Sequence, residues 1–144
     1  MDATDGEILR LLRADGRMSW QELGAAVGLS ANAAADRVRR LRRAGVITGF
    51  VALVDPAAGG RHLEALVGVR LAPDTDSDEF AVAVARLEPV GEVLHLTGAP
   101  DYQLRVNCRD TAELDAMLRL LRNRYGVADT ETTIVLRSGP PLSA

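Results

Sequence analysis

Apolar residues in the first 47 positions recur at helical spacing and are interrupted twice by turn residues, which predicts three short helices. Thr4 and Glu7 have the spacing of a capping box at the start of the first helix. The apolar stripe that follows consists of Ile8, Leu9, Leu11 and Leu12. Asp15-Gly16 ends the stripe, because both residues favour a turn over continued helix.

A very short turn separates the second and third predicted helices. The stretch SWQE, residues 19–22, has the spacing of a second capping box and opens a helix that continues to Val27. After the turn GLS, Ser30 has the position of an N-cap and Gly45 that of the C′ residue ending the third helix. Two short helices joined by about three residues are typical of a helix-turn-helix unit.

Beyond Gly45 the pattern changes, and residues 46–55 are predicted to form a strand followed by a Pro- and Gly-rich linker at 55–61. The remaining predicted strands span 63–71, 90–98, 102–108 and 128–137, and the helices span 77–88 and 111–125. This order predicts an α+β fold: an N-terminal winged-type helix-turn-helix and a C-terminal ferredoxin-like βαββαβ sandwich. The predicted divisions are a helix-turn-helix domain at 1–47, a strand and linker at 48–61, and a C-terminal domain at 62–144.

The composition allows a folded chain in a reducing compartment. Of the 144 residues, 47% are hydrophobic, which is enough for one core or two small ones. No apolar run approaches the length of a membrane span, and the N-terminus does not resemble a secretory signal. The lone Cys108 cannot form an intrachain disulfide. We therefore expect a cytoplasmic location.

Charge is distributed unevenly along the chain. The net charge is −3. Residues 1–54 nevertheless carry eight arginines against six acidic residues, whereas residues 55–144 carry nine against fourteen. Lysine is absent from the sequence, which we attribute to codon bias in a GC-rich genome. The overall balance disfavours general nucleic-acid affinity but permits a local basic patch in the N-terminal part.

The third predicted helix carries five arginines within seven positions, Arg37 to Arg43. At 100° per residue, the inward face consists of Ala31, Ala34, Val38 and Leu41. The candidate DNA-binding residues on and beside the other face are Ser30, Asn32, Ala33, Asp36, Arg37, Arg39, Arg40 and Arg43. In a helix-turn-helix the base contacts come from the N-terminal end of this helix, and later residues meet the backbone.

Residue chemistry suggests how these candidates divide between bases and phosphates. Asn32 suits adenine, Arg37 suits guanine, and Asp36 suits the amino group of cytosine, while Ala33 lets the helix backbone approach closely. The remaining arginines suit phosphate oxygens. As an alternative, Asp36 pairs with Arg40 at i,i+4 and orients it.

A basic run taken alone more often marks a solvated helix face than a nucleic-acid site. Here the context favours DNA, because two capped helices, a tight turn and a predicted strand surround the run. One monomer offers only one such helix, whereas specific operators usually provide two half-sites. The hypothesis therefore predicts a homodimer, with the C-terminal segment as its dimerisation domain.

The stretches GRMSWQELGAAVGLS and RVRRLRRAGVITGFVALVDP, in this order, resemble the N-terminal half of the Lrp/AsnC transcriptional regulators, also called feast/famine proteins. The resemblance continues through LTGAPDYQLRV and TETTIVLR and covers residues 2–137. It implies a sequence-specific DNA-binding regulator with a hinge strand and a C-terminal ligand-binding and assembly domain. It also implies dimers that assemble further, commonly to octamers, and amino acids or related metabolites as effectors bound between subunits.

The same resemblance makes the loop TGAPDY the main effector candidate. It implies that Thr97 and Gly98 lie at a cleft between dimers, together with Asp101 and Tyr102. Gly98 lets a ligand approach backbone amides, and Asp101 suits an α-ammonium group. Thr130 and Thr132, on alternate positions of the last strand, would add hydroxyls from a neighbouring subunit. The alternative is an ordinary hairpin turn, since Gly, Pro and Asp are common turn residues.

Other residues give no sign of metal or cofactor chemistry. His62 and His95 lack metal-ligand spacing, so we expect neither a metal nor a cofactor. Trp20 is expected to anchor the second helix in the core. Two other functions remain open: an enzyme similar to the sirohaem decarboxylases, which resemble this family in fold, and an architectural or metabolite-binding assembly protein with little sequence preference. Neither accounts for the arginine-rich helix as directly as a specific regulator does.

Overall fold

The computed structural model describes residues 1–137 and separates into two compact units, one formed by Met1–Leu53 and the other beginning at Val54. The division falls inside the segment 48–61 that was predicted as hinge and linker. The last part of the predicted C-terminal domain, residues 138–144, lies outside the described residues. Within residues 1–137, no helix combines the length and apolar character needed to cross a membrane.

The first unit contains three helices: α1 (Ala3–Ala14), α2 (Trp20–Ala26) and α3 (Ala31–Arg43). They enclose a small core made of Ile8, Leu12, Leu23, Ala34, Val38 and Leu41. The three predicted helices are confirmed, and so is the inward face of α3, except that Ala31 is only partly buried and Ala35 is buried as well.

The capping box predicted for α1 at Thr4 and Glu7 is wrong, because the helix begins earlier. Asp2 is the N-cap: its carboxylate accepts from the Asp5 amide at 2.8 Å, and the Asp5 carboxylate accepts from the Asp2 amide at 3.2 Å. Glu7 instead pairs with Arg10 at 2.6 Å. Asp2 and Thr4 are both good capping residues, so local propensity alone did not decide between them.

The turn between α2 and α3 follows the predicted caps. Ser19 and Glu22 form a complete capping box, and the Ser30 hydroxyl accepts from the Ala33 amide at 3.2 Å. A side chain at Gly24 would lie 2.7 Å from the Leu29 carbonyl oxygen, so this close approach of backbone requires glycine. The turn therefore fixes α3 against α2 through backbone contacts.

The second unit is a four-stranded antiparallel sheet with two helices packed on it. Its elements are β1 (Leu63–Leu71), α4 (Ser77–Val84), β2 (Val90–His95), β3 (Tyr102–Cys108), α5 (Thr111–Arg124) and β4 (Val127–Ile134). The strand order is β2-β3-β1-β4, which confirms the ferredoxin-like arrangement. One sheet face packs against α4 and α5 through Val67, Val69, Leu104, Phe80, Val84, Met117 and Leu121.

The strand predicted at residues 46–55 is not formed, so within residues 1–137 the helix-turn-helix carries no wing. The segment follows α3 without regular structure, and only a 3₁₀ turn, Pro56–Gly59, comes before β1. Large apolar side chains along the segment are exposed, among them Val51 at 86% and Leu53 at 82%. A stretch rich in apolar and β-branched residues forms a strand only when a neighbouring strand pairs with its backbone, and the described chain supplies none here.

Candidate DNA-binding surface and effector region

The solvent face of α3 is open, as its periodicity predicted. The side of the helix away from the core exposes Asn32, Asp36, Arg39, Arg40, Arg42 and Arg43. Val38 and Leu41, on the opposite side, are 1% and 4% exposed and hold the helix against α1 and α2. A basic helix face that is anchored on one side and free on the other can enter a groove of the duplex.

The N-terminal end of α3 presents small residues to solvent. Ser30 uses its hydroxyl to cap the helix, and Ala33 is half-buried beside it. Asn32 is exposed between them. Low side-chain bulk at this end allows the close approach of backbone to base edges that was predicted from the sequence.

Arg37 is not free, contrary to the expectation that it would be available to a guanine. Its Nη1 donates to Asp2 at 2.7 and 2.9 Å and to Asp5 at 2.8 Å. The Arg37 side chain is only 25% exposed. These contacts tie the middle of α3 to the first turn of α1 and engage the Nη1 group of Arg37 within the domain.

Asp5 is the buried acid of this network, with a side chain that is 4% exposed. Besides Arg37, its carboxylate accepts from Arg40 Nη2 at 3.3 Å. The hydrogen bond from Arg37 lowers the pKa of Asp5 against the opposing effect of desolvation. Arg37 likewise lowers the pKa of Asp2, and both carboxylates raise the pKa of Arg37. Sequence reasoning missed Asp5, because pairing across more than 30 positions leaves no local pattern.

The alternative pairing of Asp36 with Arg40 is wrong. Asp36 lies 3.4 Å from Arg39, at i,i+3, and Arg40 turns toward Asp5 instead. Asp36 and Arg39 are 75% and 60% exposed, so this pair is weak and both groups remain accessible to solvent.

A basic groove lies at the C-terminal end of α3. It has a volume of about 460 Å³ and is lined by Arg39, Arg42, Arg43, Ile47 and Thr48. Three arginines and a threonine along one groove suit a phosphate oxygen. Arg42 and Thr48 were missed from the sequence: Arg42 falls between the two helix faces, and Thr48 was assigned to a strand. The Schellman pattern at Gly45, in which the Val46 amide donates to the Leu41 carbonyl at 3.0 Å, turns the chain back to form this groove.

Trp20 is not a core residue, which corrects the sequence expectation. It is the first residue of α2 and is 45% exposed, and the core of the first unit is built without it. The first turn of α2 must keep its capping box at Ser19 and Glu22, and this geometry leaves the neighbouring indole at the surface. An exposed tryptophan at the N-terminus of this helix gives a spectroscopic probe in the helix-turn-helix unit.

The effector loop between β2 and β3 is partly available to a ligand. Thr97 and Gly98 are exposed, and Gly98 has a φ of +110°, a conformation that L side chains rarely adopt. These two residues keep the accessibility that the resemblance implied.

Asp101 and Tyr102, the other two candidates on this loop, make hydrogen bonds within the second unit. Asp101 Oδ2 accepts from the Leu71 amide at 2.8 Å, at the end of β1. Tyr102 is 2% exposed and donates its hydroxyl to the Ser77 carbonyl at 2.9 Å. Tyr102 also stacks on His95 with ring centroids 4.5 Å apart. The alternation of β3 places Tyr102 on the helix-facing side, where it serves the core.

Thr130 and Thr132 lie on the helix-facing side of β4, opposite Val69 and Val67 in the register. Thr130 Oγ1 accepts from Arg122 of α5 at 2.6 Å, and Thr132 is exposed. The effector loop reaches the other side of the sheet, since a side chain at Gly68 would meet Pro100 at 2.9 Å. Within one chain, the two threonines and the loop are therefore not brought together.

Two family models match the chain on either side of the unit boundary. The AsnC-type helix-turn-helix domain matches residues 1–42, and the Lrp/AsnC ligand binding domain matches residues 64–139. The two matches correspond to α1–α3 and to the sheet with its helices.

Named relatives and a solved structure agree with these matches. The HTH-type transcriptional regulator AldR of Mycobacterium tuberculosis is 35% identical over 148 residues, which cover 99% of this chain and 83% of that protein. The leucine-responsive regulatory protein of Salmonella typhimurium is 37% identical over 140 residues, covering 94% and 85%. The transcriptional regulator NMB0573 of Neisseria meningitidis, solved as an L-Met complex, superposes with a TM-score of 0.90 at 30% identity, covering 100% of this chain and 96% of that one. The chain therefore belongs to the Lrp/AsnC family of transcriptional regulators and is a regulator with a helix-turn-helix and a ligand-binding domain, not an enzyme.

Proposed function

We propose that this regulator binds duplex operator DNA as a homodimer through the exposed face of α3, and that a small amino-acid-like effector bound by the C-terminal domain alters that binding. The proposed DNA binding rests on the solvent face of α3. Arg39, Arg40 and Arg43 are all exposed there, and the opposite face of the helix is packed in the core. Asn32 and Asp36 read base edges, and the arginines hold phosphates. The basic groove lined by Arg42 and Thr48 extends the phosphate contacts beyond the helix end.

The homodimer is supported by the segment 46–53. Val51 and Leu53 are almost fully exposed, and the backbone around them has no strand partner within the described residues. A second copy supplies both the apolar cover and the missing ladder, since like segments pair readily about a two-fold axis. Two copies also supply the two recognition helices that an operator with two half-sites requires. Further assembly toward an octamer would build on this dimer.

The effector proposal also favours more than one subunit. Thr97 and Gly98 lie on a loop that reaches one side of the sheet, whereas Thr130 and Thr132 lie on the other. One ligand can meet both sets only when two chains come together, which is the arrangement in which a ligand controls assembly. An amino acid is the favoured class, because the Neisseria regulator was solved with L-Met and the Salmonella relative is named leucine-responsive.

The test of DNA binding is to map bound fragments across a genome and then to titrate the best fragment against salt. Arg43→Gln should lower the slope of log K against log salt by about 0.9, as expected for one lost phosphate contact. Arg10→Gln is the matched control: it removes the same charge from an exposed position on α1, outside the proposed recognition helix. Equal slopes for both variants, or no enrichment of any sequence over bulk DNA, would refute binding through α3.

The effector is tested on the same fragment. Each amino acid is added in turn, and the affinity for DNA and the mass of the protein in solution are both measured. The expected result is that one or a few amino acids change both quantities, and that Thr132→Val reduces the response without changing DNA affinity in their absence. No response to any amino acid would remove this ligand class from the proposal.

A further inference from the structure

The exposed carboxylate of Asp2 pairs with Arg37, whose side chain is itself partly exposed. Both of its oxygens accept from Arg37 Nη1, at 2.7 and 2.9 Å, and the Asp2 side chain is 54% exposed. Asp5 holds the same nitrogen from the buried side at 2.8 Å. Arg37 thus binds two carboxylates. That of Asp2 is exposed, so a group from solvent can replace it, whereas that of Asp5 is buried in the domain.

We propose that Asp2 sets the affinity of this regulator for DNA by occupying Arg37 in place of a backbone phosphate. The inference rests on the proposed binding of DNA through α3. Carboxylate and phosphate oxygens are alternative acceptors for a guanidinium, and an arginine already paired at short distance adds no further neutralisation to the duplex. With Asp2 in place, Arg37 is withheld from the duplex, and the contacts to phosphate come from its exposed neighbours.

The different burial of the two acids separates their roles. Asp5, which is 4% exposed and is also held by the Asp2 amide and Arg40, is the positioning residue that keeps Arg37 at the surface of the domain. Asp2 neutralises the guanidinium from the solvent side. Removing only the charge of Asp2 leaves Arg37 anchored at Asp5 and directs its remaining hydrogen-bond donors to solvent.

The chain offers a clean variant and a matched control for this inference. Asp2→Asn removes the charge but keeps an N-cap of equal quality, so α1 is retained. Glu7→Gln removes one charge from the same helix, where Glu7 contacts only Arg10 among the arginines of the domain. Any difference between the two variants therefore reports the contact with Arg37 and not the change in net charge. Circular dichroism checks that both are folded.

The expected result is that Asp2→Asn tightens DNA binding at low salt by roughly threefold or more and steepens the salt slope by about 0.9, the value for one added phosphate contact. Glu7→Gln should leave the slope unchanged. In addition, Arg37→Gln made in the wild-type protein should leave the salt slope unchanged. The same substitution made in the Asp2→Asn variant should abolish its tighter DNA binding and its steeper salt slope.

Two outcomes distinguish this inference from the proposed function. If the wild-type protein binds its operator and Arg43→Gln weakens it, but Asp2→Asn behaves like Glu7→Gln, then Arg37 is not withheld and only the inference fails. If the wild-type protein binds no DNA, the proposed function itself fails.

Discussion

Asp5 and Arg37 stand 32 positions apart, yet the carboxylate of one meets the guanidinium of the other at 2.8 Å. The contact joins the first turn of α1 to the middle of α3, the helix that carries the candidate DNA surface. The stability of the N-terminal unit and the orientation of α3 therefore depend on the same ion pair.

The pairing predicts acid sensitivity of the N-terminal unit. The pKa values of Asp2 and Asp5 are lowered below the ordinary 3.8, chiefly by the hydrogen bonds from Arg37. A lowered pKa in the folded state stabilises the fold fully above 3.8, and this stabilisation is lost as the pH falls through the folded-state pKa. The urea midpoint of the helical unit should accordingly stay constant above about pH 5 and decrease as the pH falls below about 4. Arg37→Gln removes the cause of both shifts, so an unchanged pH dependence in that variant would contradict the assignment.

Two helical glycines should respond oppositely to the same substitution. A methyl group at Gly24 would lie 2.7 Å from the Leu29 carbonyl oxygen and 3.1 Å from Ser30 backbone atoms, which cannot move without opening the turn between α2 and α3. Gly24→Ala should destabilise the N-terminal unit by about 1–3 kcal/mol. At Gly6, in α1, nothing lies within 4 Å, and Gly6→Ala should stabilise it by roughly 0.5–1 kcal/mol. Chemical unfolding measures both, and changes of the same sign would show that the turn tolerates a side chain.

Elements whose causes are local could be predicted from the sequence. Ser19, Ser30 and Gly45 act through caps a few residues away, and the apolar period of α3 identified its buried face. The side of the sheet on which Tyr102 lies was also readable, since it alternates with Leu104 and Val106.

What could not be predicted depends on partners that are distant in the chain or outside it. Asp5 and Arg37 meet only after α1 packs on α3, and the same contact favours Asp2 over Thr4 as the cap of α1. The segment 46–53 is rich in apolar and β-branched residues, as strands are, but the described chain provides no strand beside it. A strand partner from a second copy, as proposed above, cannot be read from the sequence of one chain.

Tyr102 and Ser77 provide a test of whether this tyrosine serves the core or a ligand. The phenol and the Ser77 hydroxyl lie 2.7 Å apart, and the phenol also donates to the Ser77 carbonyl. Tyr102→Phe should cost about 0.5–1.5 kcal/mol of stability, the usual net value of a buried hydrogen bond. Ser77→Ala removes the other hydroxyl, and the double variant should be less destabilised than the sum of the two singles. The change of DNA affinity on adding an effector should be retained in Tyr102→Phe. If that change is lost while the stability is unaltered, Tyr102 belongs to the ligand site.

Exposed apolar side chains on segment 46–53 predict that a single charge there weakens dimer formation. Val51 is 86% exposed, and in a two-fold interface each substitution is present twice, so the cost of burying a carboxylate is also incurred twice. Val51→Asp should weaken self-association at least tenfold, which corresponds to about 1.4 kcal/mol. Val82→Asp, at a 57% exposed position on α4, makes the same chemical change elsewhere and should leave the mass in solution unaltered. Sedimentation measures both variants. A monomeric Val51→Asp protein that still keeps its α-helical spectrum should bind a single half-site only weakly, because one recognition helix remains per molecule. If the Val51→Asp protein stays dimeric, another surface joins the subunits.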